Sequence, residues 1–267
     1  MTEFLPPRPL ILFRFHKQFD VCLQNVWLLR KLNPAAALYG MYGGFGGAAA
    51  IPRELTEAMD GVYALPYEDP YYNWKNGDLC VRWWHKEIGH RLDFTHLCVA
   101  EWDMLYLKPM VDVFSGLAPD TNYVALSGSY TKLLAEGWPW IQGNCKGQVE
   151  ALLRKLKEEE RAIVIEDLSF GIFGGCVLCR KFLDLYAQKS IPSYSNDEVR
   201  LALYADLFGI PMVDSGFLHD KRNKTNADGD GGDVYGAAEV DEVIARGGNI
   251  IHPVRSLIEG LEKKLRL

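Results

Sequence analysis

The chain has 267 residues and a formal net charge of −6. Its 48% hydrophobic content fits a globular domain with a real core and excludes a disordered or fibrous chain. The acidic balance argues against a nucleic-acid binder, which normally carries a basic face, and no apolar run reaches the roughly 18 residues that a membrane span requires.

The six cysteines, Cys22, Cys80, Cys98, Cys145, Cys176 and Cys179, lie mostly inside apolar runs, as buried reduced thiols do. Cys176 and Cys179 have CxxC spacing, but no second pair or nearby His accompanies them, so a structural metal is not expected there. Met1 to Pro9 carries three prolines and no long apolar core, unlike a signal peptide. A cytoplasmic protein is expected, with any membrane association made through partners.

In chain order, Leu10 to Phe13 reads as a buried strand, and Val21 to Leu32 as a helix that stops before Asn33-Pro34. Ala36 to Tyr42 is a strand running into the glycines at 43, 44, 46 and 47. Pro52 to Met59 is a short helix with proline in its first turn. Gly61 to Leu65 is a strand, Asn73 to Gly89 a helix, and His96 to Ala100 a strand that runs straight into Glu101-Trp102-Asp103. This alternation predicts an α/β fold with a mostly parallel, Rossmann-like sheet and helices on both faces. Further on, Tyr123 to Gly128 reads as a strand, Ala151 to Arg161 as a charged surface helix, and Asp167 to Leu178 as a long strand broken by glycines. Ser195 to Phe208 reads as a helix, Pro211 to Asp214 as a strand, Asn223 to Gly236 as a loop, and Asn249 to His252 as a last strand before a helix from Val254. One domain over 1–267 is expected, with a nucleotide half over about 1–110 and an acceptor half over about 111–267.

In such sheets ligands bind at the carboxyl ends of the strands. Glu101-Trp102-Asp103 sits at one such end, and Phe13, Arg14, His16 and Lys17 follow another. In an extended backbone residues i and i+2 project to the same side. Glu101 and Asp103 would then face one divalent cation together, a role suited to oxygen ligands that share Mg²⁺ or Mn²⁺ with substrate phosphates. The bland alternative is a solvated acidic turn. Two aromatic clusters stand out, Asp69 to Trp74 and Trp138-Pro139-Trp140, either as sugar-stacking surfaces or as lids on the core. The glycines at 43 to 47 make neither a GxGxxG turn nor a Walker loop, which disfavours a dehydrogenase.

Val99-Ala-Glu-Trp-Asp-Met-Leu-Tyr-Leu-Lys-Pro109 resembles the DxD region of GT-A glycosyltransferases, with Glu101 standing in for the first aspartate. Four other segments extend the resemblance over most of the chain. Asn76-Gly77 and Arg82 resemble the helix that covers the donor. Gly174 to Lys181 resembles the glycine-rich strand beside the acceptor. Asn196 to Leu203, continuing to Pro211, resembles the helix that carries the base of inverting members. Ile250-Ile-His252-Pro253 resembles the late histidine of the metal site. The resemblance implies a GT-A fold and transfer of a sugar from a nucleotide-diphosphate sugar, a UDP-sugar in first place, to a carbohydrate or glycoconjugate acceptor. It implies Mn²⁺ or Mg²⁺ held by Asp103 and His252, with Glu101 on the metal site through a bound water or on the ribose, and donor contacts from Asn76, Arg82, Glu101, Trp102 and Asp103. Phe13, Arg14, His16 and Lys17, placed after the first strand, would meet the nucleotide or else form a solvated loop. Glu198 is the implied base, with Asp197 as the alternative. Ser195-x-x-Glu198 also has the form of a capping box, which would give Glu198 a purely structural task. The rival readings are a sugar-1-phosphate nucleotidyltransferase and a non-catalytic nucleotide-sugar-binding protein on the same fold.

Overall fold

The computed structural model describes residues 8–114, 116–159, 163–216, 219–221 and 235–267. The first half follows the expected alternation: β1 (Pro9–Phe15), α1 (Phe19–Leu32), β2 (Ala37–Tyr42), α2 (Arg53–Glu57), β3 (Gly61–Ala64), α3 (Pro70–Lys75), α4 (Gly77–Glu87) and β4 (His96–Glu101). Then come β5 (Leu105–Tyr106), α5 (Met110–Val113), β6 (Asn122–Ser129), α6 (Tyr130–Ala135), α7 (Gly143–Glu159), β7 (Ser169–Cys179), α8 (Arg180–Gln188) and α9 (Asp197–Leu207). The chain ends with β8 (Met212–Asp214), β9 (His219–Lys221), α10 (Ala237–Ala245), β10 (Ile250–His252) and α11 (Leu261–Leu265). The main strands run mostly parallel with helices around them; β7 is the antiparallel member.

Several boundaries differ from the sequence reading for local reasons. The single helix expected over Asn73 to Gly89 is two helices. Asp69 caps the first by accepting from the Tyr71 amide (2.9 Å), with Pro70 behind it, and the chain breaks at Asn76 before Gly77. The helix expected from Val254 is confined to Leu261–Leu265. The residues before it are spent on fixed contacts, among them the Val254 amide on the Asp103 carbonyl (2.7 Å) and the Ile258 amide on Gln24 (2.8 Å). The capping box is also corrected. Asn196, not Ser195, caps α9 by accepting from the Val199 amide (3.2 Å), so Glu198 is not its N3 partner. Ser195 holds a left-handed φ of 59° and turns its hydroxyl to the Trp140 carbonyl (3.0 Å). α8 escapes the sequence reading because only Phe182, Leu183 and Tyr186 mark its buried face. The loop expected over Asn223 to Gly236 lies almost wholly outside the described residues. All six cysteines are free thiols.

The chain divides into two compact units, each assembled from three separated stretches. One comprises Pro9–Glu68, Ala100–Gly116 and Gly216–Leu267. In it β1, β2 and β3 pair in parallel, with Leu10 opposite Ala37 and Tyr39 opposite Gly61. β1 is buried from Leu10 onward, which explains its continuous apolar run. Its small second sheet sets β10 antiparallel to β5 and parallel to β9.

The other unit comprises Met1–Arg8, Asp69–Val99 and Leu117–Ser215. Here β7 pairs antiparallel with both β4 and β6, and β8 lies parallel to β6. Its centre holds an ion pair with almost no exposed surface, in which Arg200 Nε and Nη2 grip the two Asp78 oxygens at 2.8 and 2.6 Å. The Tyr186 hydroxyl also donates to Asp78, and Arg200 donates to Asn76 Oδ1 (2.9 Å) and to the Tyr194 carbonyl (2.8 Å). The network ties the starts of α4 and α9 together. Removing Asp78 strands a buried guanidinium. Asp78→Ala should therefore cost about 3–5 kcal/mol of unfolding free energy in urea titrations. A loss under about 1 kcal/mol would mean that the pair is solvated or replaceable.

Candidate functional site

β4 is apolar and fully buried from Leu97 to Ala100, and its first exposed polar group is Glu101. There the chain turns, and the Met104 amide donates to the Glu101 carbonyl (3.0 Å). The turn decides the geometry of the triplet. The same-side projection expected for Glu101 and Asp103 assumes an extended backbone; the chain turns here instead, and the two carboxylates bond different partners.

Glu101 turns to β1, where its Oε1 accepts from Arg14 Nη1 at 2.7 Å. Asp103 turns to the segment after β10. Its Oδ2 accepts from Arg255 Nε at 3.2 Å, and its Oδ1 lies 3.3 Å from His252 Nε2. Asp103 is only 4% exposed. Burial alone would push its carboxyl up, but the His252 hydrogen bond and the charges of His252 and Arg255 outweigh it, so Asp103 sits below the usual carboxylate range. For His252, burial disfavours the charged form. The hydrogen bond and charge of Asp103, helped by Glu101, overcome that and raise it above the ordinary histidine value.

Between the two carboxylates, Trp102 is buried at 4% exposure, and its carbonyl accepts from Asn25 Nδ2 of α1 (2.7 Å). Its ring is a platform for cations. Lys17 Nζ lies 5.3 Å from the ring centroid and the Arg255 guanidinium carbon 5.9 Å, while His16 meets the ring edge-on at 5.5 Å. His16 titrates at about 4, lowered by burial first and by Lys17 next, with Arg14 and Arg255 adding; Asp103 opposes them. It is a neutral hydrogen-bonding ring at physiological pH. The loop after β2 closes over this end of β1. The Gly43 amide donates to the Phe15 carbonyl (2.9 Å), and a Cβ on Gly44 would lie 2.5 Å from the His16 carbonyl oxygen, so only glycine allows this approach.

Arg14, Lys17 and Arg255 thus gather around Trp102 and the carboxylates of Glu101 and Asp103. Among the described residues no group of three or more His, Cys, Asp or Glu side chains converges as a metal cage. Glu101 is paired with Arg14 rather than with Asp103 and His252. Asp103 and His252 do fit as a pair. Their 3.3 Å separation matches neighbouring ligands of an octahedral ion, which lie roughly 3 Å apart when each bond is about 2.1 Å. Such ions usually take few protein ligands and complete the shell with water and phosphate.

The remaining expected residues fall into two groups. Phe13 has no exposed surface and stacks on Phe15 (5.8 Å), so its ring serves the core. Asn76, Arg82, Asp197 and Glu198 belong to the other unit. Arg82 donates to the carbonyls of Tyr186 (3.0 Å), Ala187 (3.2 Å) and Lys189, closing the C-terminal end of α8. Asn76 donates to the Tyr72 carbonyl and accepts from Arg200, both at 2.9 Å. Asp197 Oδ2 accepts from the Gly77 amide (3.1 Å) and Oδ1 from the Glu198 amide (2.9 Å). Glu198 is half-buried beside Asn196 Nδ2 at 3.4 Å. Sequence reasoning does not single out Arg255. Its one signal is a basic residue three positions after His252, legible only once β10 is known to end at Asp103.

No protein-family model matches the chain, and no curated protein matches it. Among solved structures the chain is similar to a glycosyltransferase involved in the glycosylation of the major capsid of PBCV-1, at 9% identity and a TM-score of 0.47, covering 97% of this chain and 99% of that one. It is also similar to the galactosyltransferase LgtC in complex with donor and acceptor sugar analogs, at 11% identity and a TM-score of 0.45, over 79% of this chain and 75% of that one. An active-site mutant of LgtC gives 10% identity and a TM-score of 0.47 over 96% and 94%. Likenesses this loose say nothing of reaction or residues. Among the described residues no helix is long and apolar enough to cross a membrane.

The Asp103–His252 pair has a definite pH signature in the metal-free protein. Asp103 is lowered, so its contribution is present above the unfolded carboxyl value of about 3.9 and fades as pH falls through the folded one. His252 is raised, so its contribution is complete below about 6.5 and is lost as pH rises through its folded value. Unfolding free energy measured from pH 4 to 9 in EDTA should therefore decline above about pH 6.5. That decline should flatten in His252→Gln. Identical profiles for the two proteins would show that the pair does not form in solution.

Proposed function

We propose that the chain is a glycosyltransferase that transfers a sugar from a nucleotide-diphosphate sugar, UDP-linked in first place, to an acceptor hydroxyl with the help of Mn²⁺ or Mg²⁺. The observation that carries this reading is the buried Asp103 carboxylate, held between His252 and Arg255 beside the cationic face of Trp102. An isolated carboxylate there would be costly, whereas one matched by an imidazole and a guanidinium is a prepared site for a cation and an anion together. The DxD-like sequence around it supports the same reading.

In this reaction the acceptor oxygen forms a bond to the anomeric carbon, the bond from that carbon to the diphosphate oxygen breaks, and the acceptor proton passes to a carboxylate. Asp103 and His252 would hold the divalent ion, which as a Lewis acid stabilises negative charge on the departing diphosphate. Lys17 and Arg255 add fixed positive charge for the same anion. Arg255 bonds Oδ2 of Asp103, which leaves Oδ1 facing His252 for the metal. To hold the ion, His252 would have to be neutral, a form that its pairing with Asp103 disfavours. Trp102 orients the cations, and Glu101 fixes Arg14 at the end of β1.

For the proton, Glu198 is the better base of the two candidates. Both oxygens of Asp197 accept backbone amides, so its carboxylate is occupied in fixing the start of α9. With a base on the acceptor the displacement is direct and the product inverted.

Release of UDP from UDP-sugars, with and without acceptor, tests the reading. Full chelation by EDTA should abolish turnover, and Mn²⁺ should restore it; activity that survives chelation would remove the metal from the account. Glu198→Gln should lower kcat by about 10²–10⁴-fold with little change in UDP affinity, the range expected for loss of a general base. Asp197→Asn should act mainly on stability. If both variants turn over like the parent, neither is the base.

A further inference from the structure

Within the unit that carries α9, the structure brings two distant aromatic segments together. Trp74, at the end of α3, and Trp140, before α7, lie with ring centroids 5.8 Å apart, and Tyr71 continues the row 5.7 Å from Trp74. Tyr71 is 62% exposed and Trp74 53%. Rings of this size are normally covered, and an exposed row of them marks a surface that binds something.

The surroundings of the row narrow the choice. Within residues 69–76 and 138–142 no Leu, Ile, Val or Met is exposed, Ile141 pointing into the core; the nearest exposed aliphatic along the chain is Leu134, four residues before Trp138. A protein interface or a lipid surface would ordinarily add aliphatic side chains to the rings. Asp69 and Lys75 have opposite charges, so nothing here selects an anion or a cation. What remains is flat π surface edged by polar groups. A pyranose ring matches it: one face is lined with C–H bonds whose weakly positive hydrogens meet the negative faces of the rings, while the hydroxyls stay in water at the rim.

The row is also tied to the candidate base. The Trp140 carbonyl accepts from Ser195 Oγ (3.0 Å), and the Gly77 amide, three residues after Trp74, donates to Asp197 (3.1 Å). Trp140 itself, and Gly77 just beyond the helix that carries Tyr71 and Trp74, are thus bonded to Ser195 and Asp197 at the start of α9. We infer that Tyr71, Trp74 and Trp140 form a stacking subsite for a carbohydrate acceptor of more than one sugar, placed to present it to the start of α9. This rests on the glycosyltransferase reading for its purpose, but not for its binding.

The test uses the full-length protein without donor and a probe panel of cellotriose, maltotriose, chitotriose and lactose. Binding is read by saturation-transfer NMR and by tryptophan fluorescence. At least one probe should bind saturably, with transfer strongest to its C–H protons. Trp74→Ala and Trp140→Ala should each weaken that binding by about tenfold. Trp74→Tyr should restore most of it, and Trp27→Ala, on α1 of the other unit, should leave it unchanged. Melting curves confirm that each variant is folded. Binding that is indifferent to both alanine variants overturns the inference, as does failure of every probe to bind. So does a change in self-association by sedimentation without a change in binding, which would give the row to a second copy of the chain. Trisaccharide binding without any UDP binding would uphold the subsite and overturn the glycosyltransferase reading; UDP turnover with no platform effect would do the reverse.

Discussion

A carboxylate that keeps only 4% of its surface in contact with solvent must find its partners in the protein, and Asp103 finds two of them on one short segment. His252 and Arg255 are supplied by the end of β10, and the Val254 amide between them fixes the Asp103 backbone. The arrangement explains several otherwise separate features. The last 50 or so residues join the same compact unit as β1, because β10 must reach β5 to deliver the imidazole and guanidinium. Lys17 and His16 meet Trp102 because β1 ends beside the turn. Glu101 pairs with Arg14 at the end of β1. Break the Asp103 pairing and each of these loses its reason.

The same pairing sits in a locally basic neighbourhood of an acidic chain. Net charge is a property of the whole surface, while a site responds to its local field. Here Lys17 and Arg255 lie over the face of Trp102, and Arg14 stands at the end of β1.

How much was legible beforehand follows from the range of the interactions. The alternation of β1 to β4 with α1 to α4, and the position of the triplet at a strand end, rest on local patterns of apolar residues, and the sequence carries them. The turn after Glu101, in which the Met104 amide donates to the Glu101 carbonyl, is announced by no side-chain pattern, and Glu101 and Asp103 bond different partners there. Asn76 and Arg82 read as donor contacts through the resemblance of their helix to one that covers the donor; in the structure Asn76 joins the network around Asp78 and Arg82 bonds the carbonyls at the end of α8. Arg255 and the meeting of Trp74 with Trp140 are long-range consequences of the fold. The capping of α9 by Asn196 rather than Ser195 is a one-residue shift, the scale at which helix starts are least legible.

The central claim is that Asp103 and His252 are two ligands of one divalent ion that a nucleoside diphosphate completes. Crystals grown with Mn²⁺ and UDP test it directly through the anomalous scattering of manganese. The account predicts one strong anomalous peak within about 2.0–2.3 Å of Asp103 Oδ1 and His252 Nε2, with diphosphate oxygens on its open side and Arg255 still on Oδ2. UDP bound with no manganese, or manganese bound away from this pair, would contradict it.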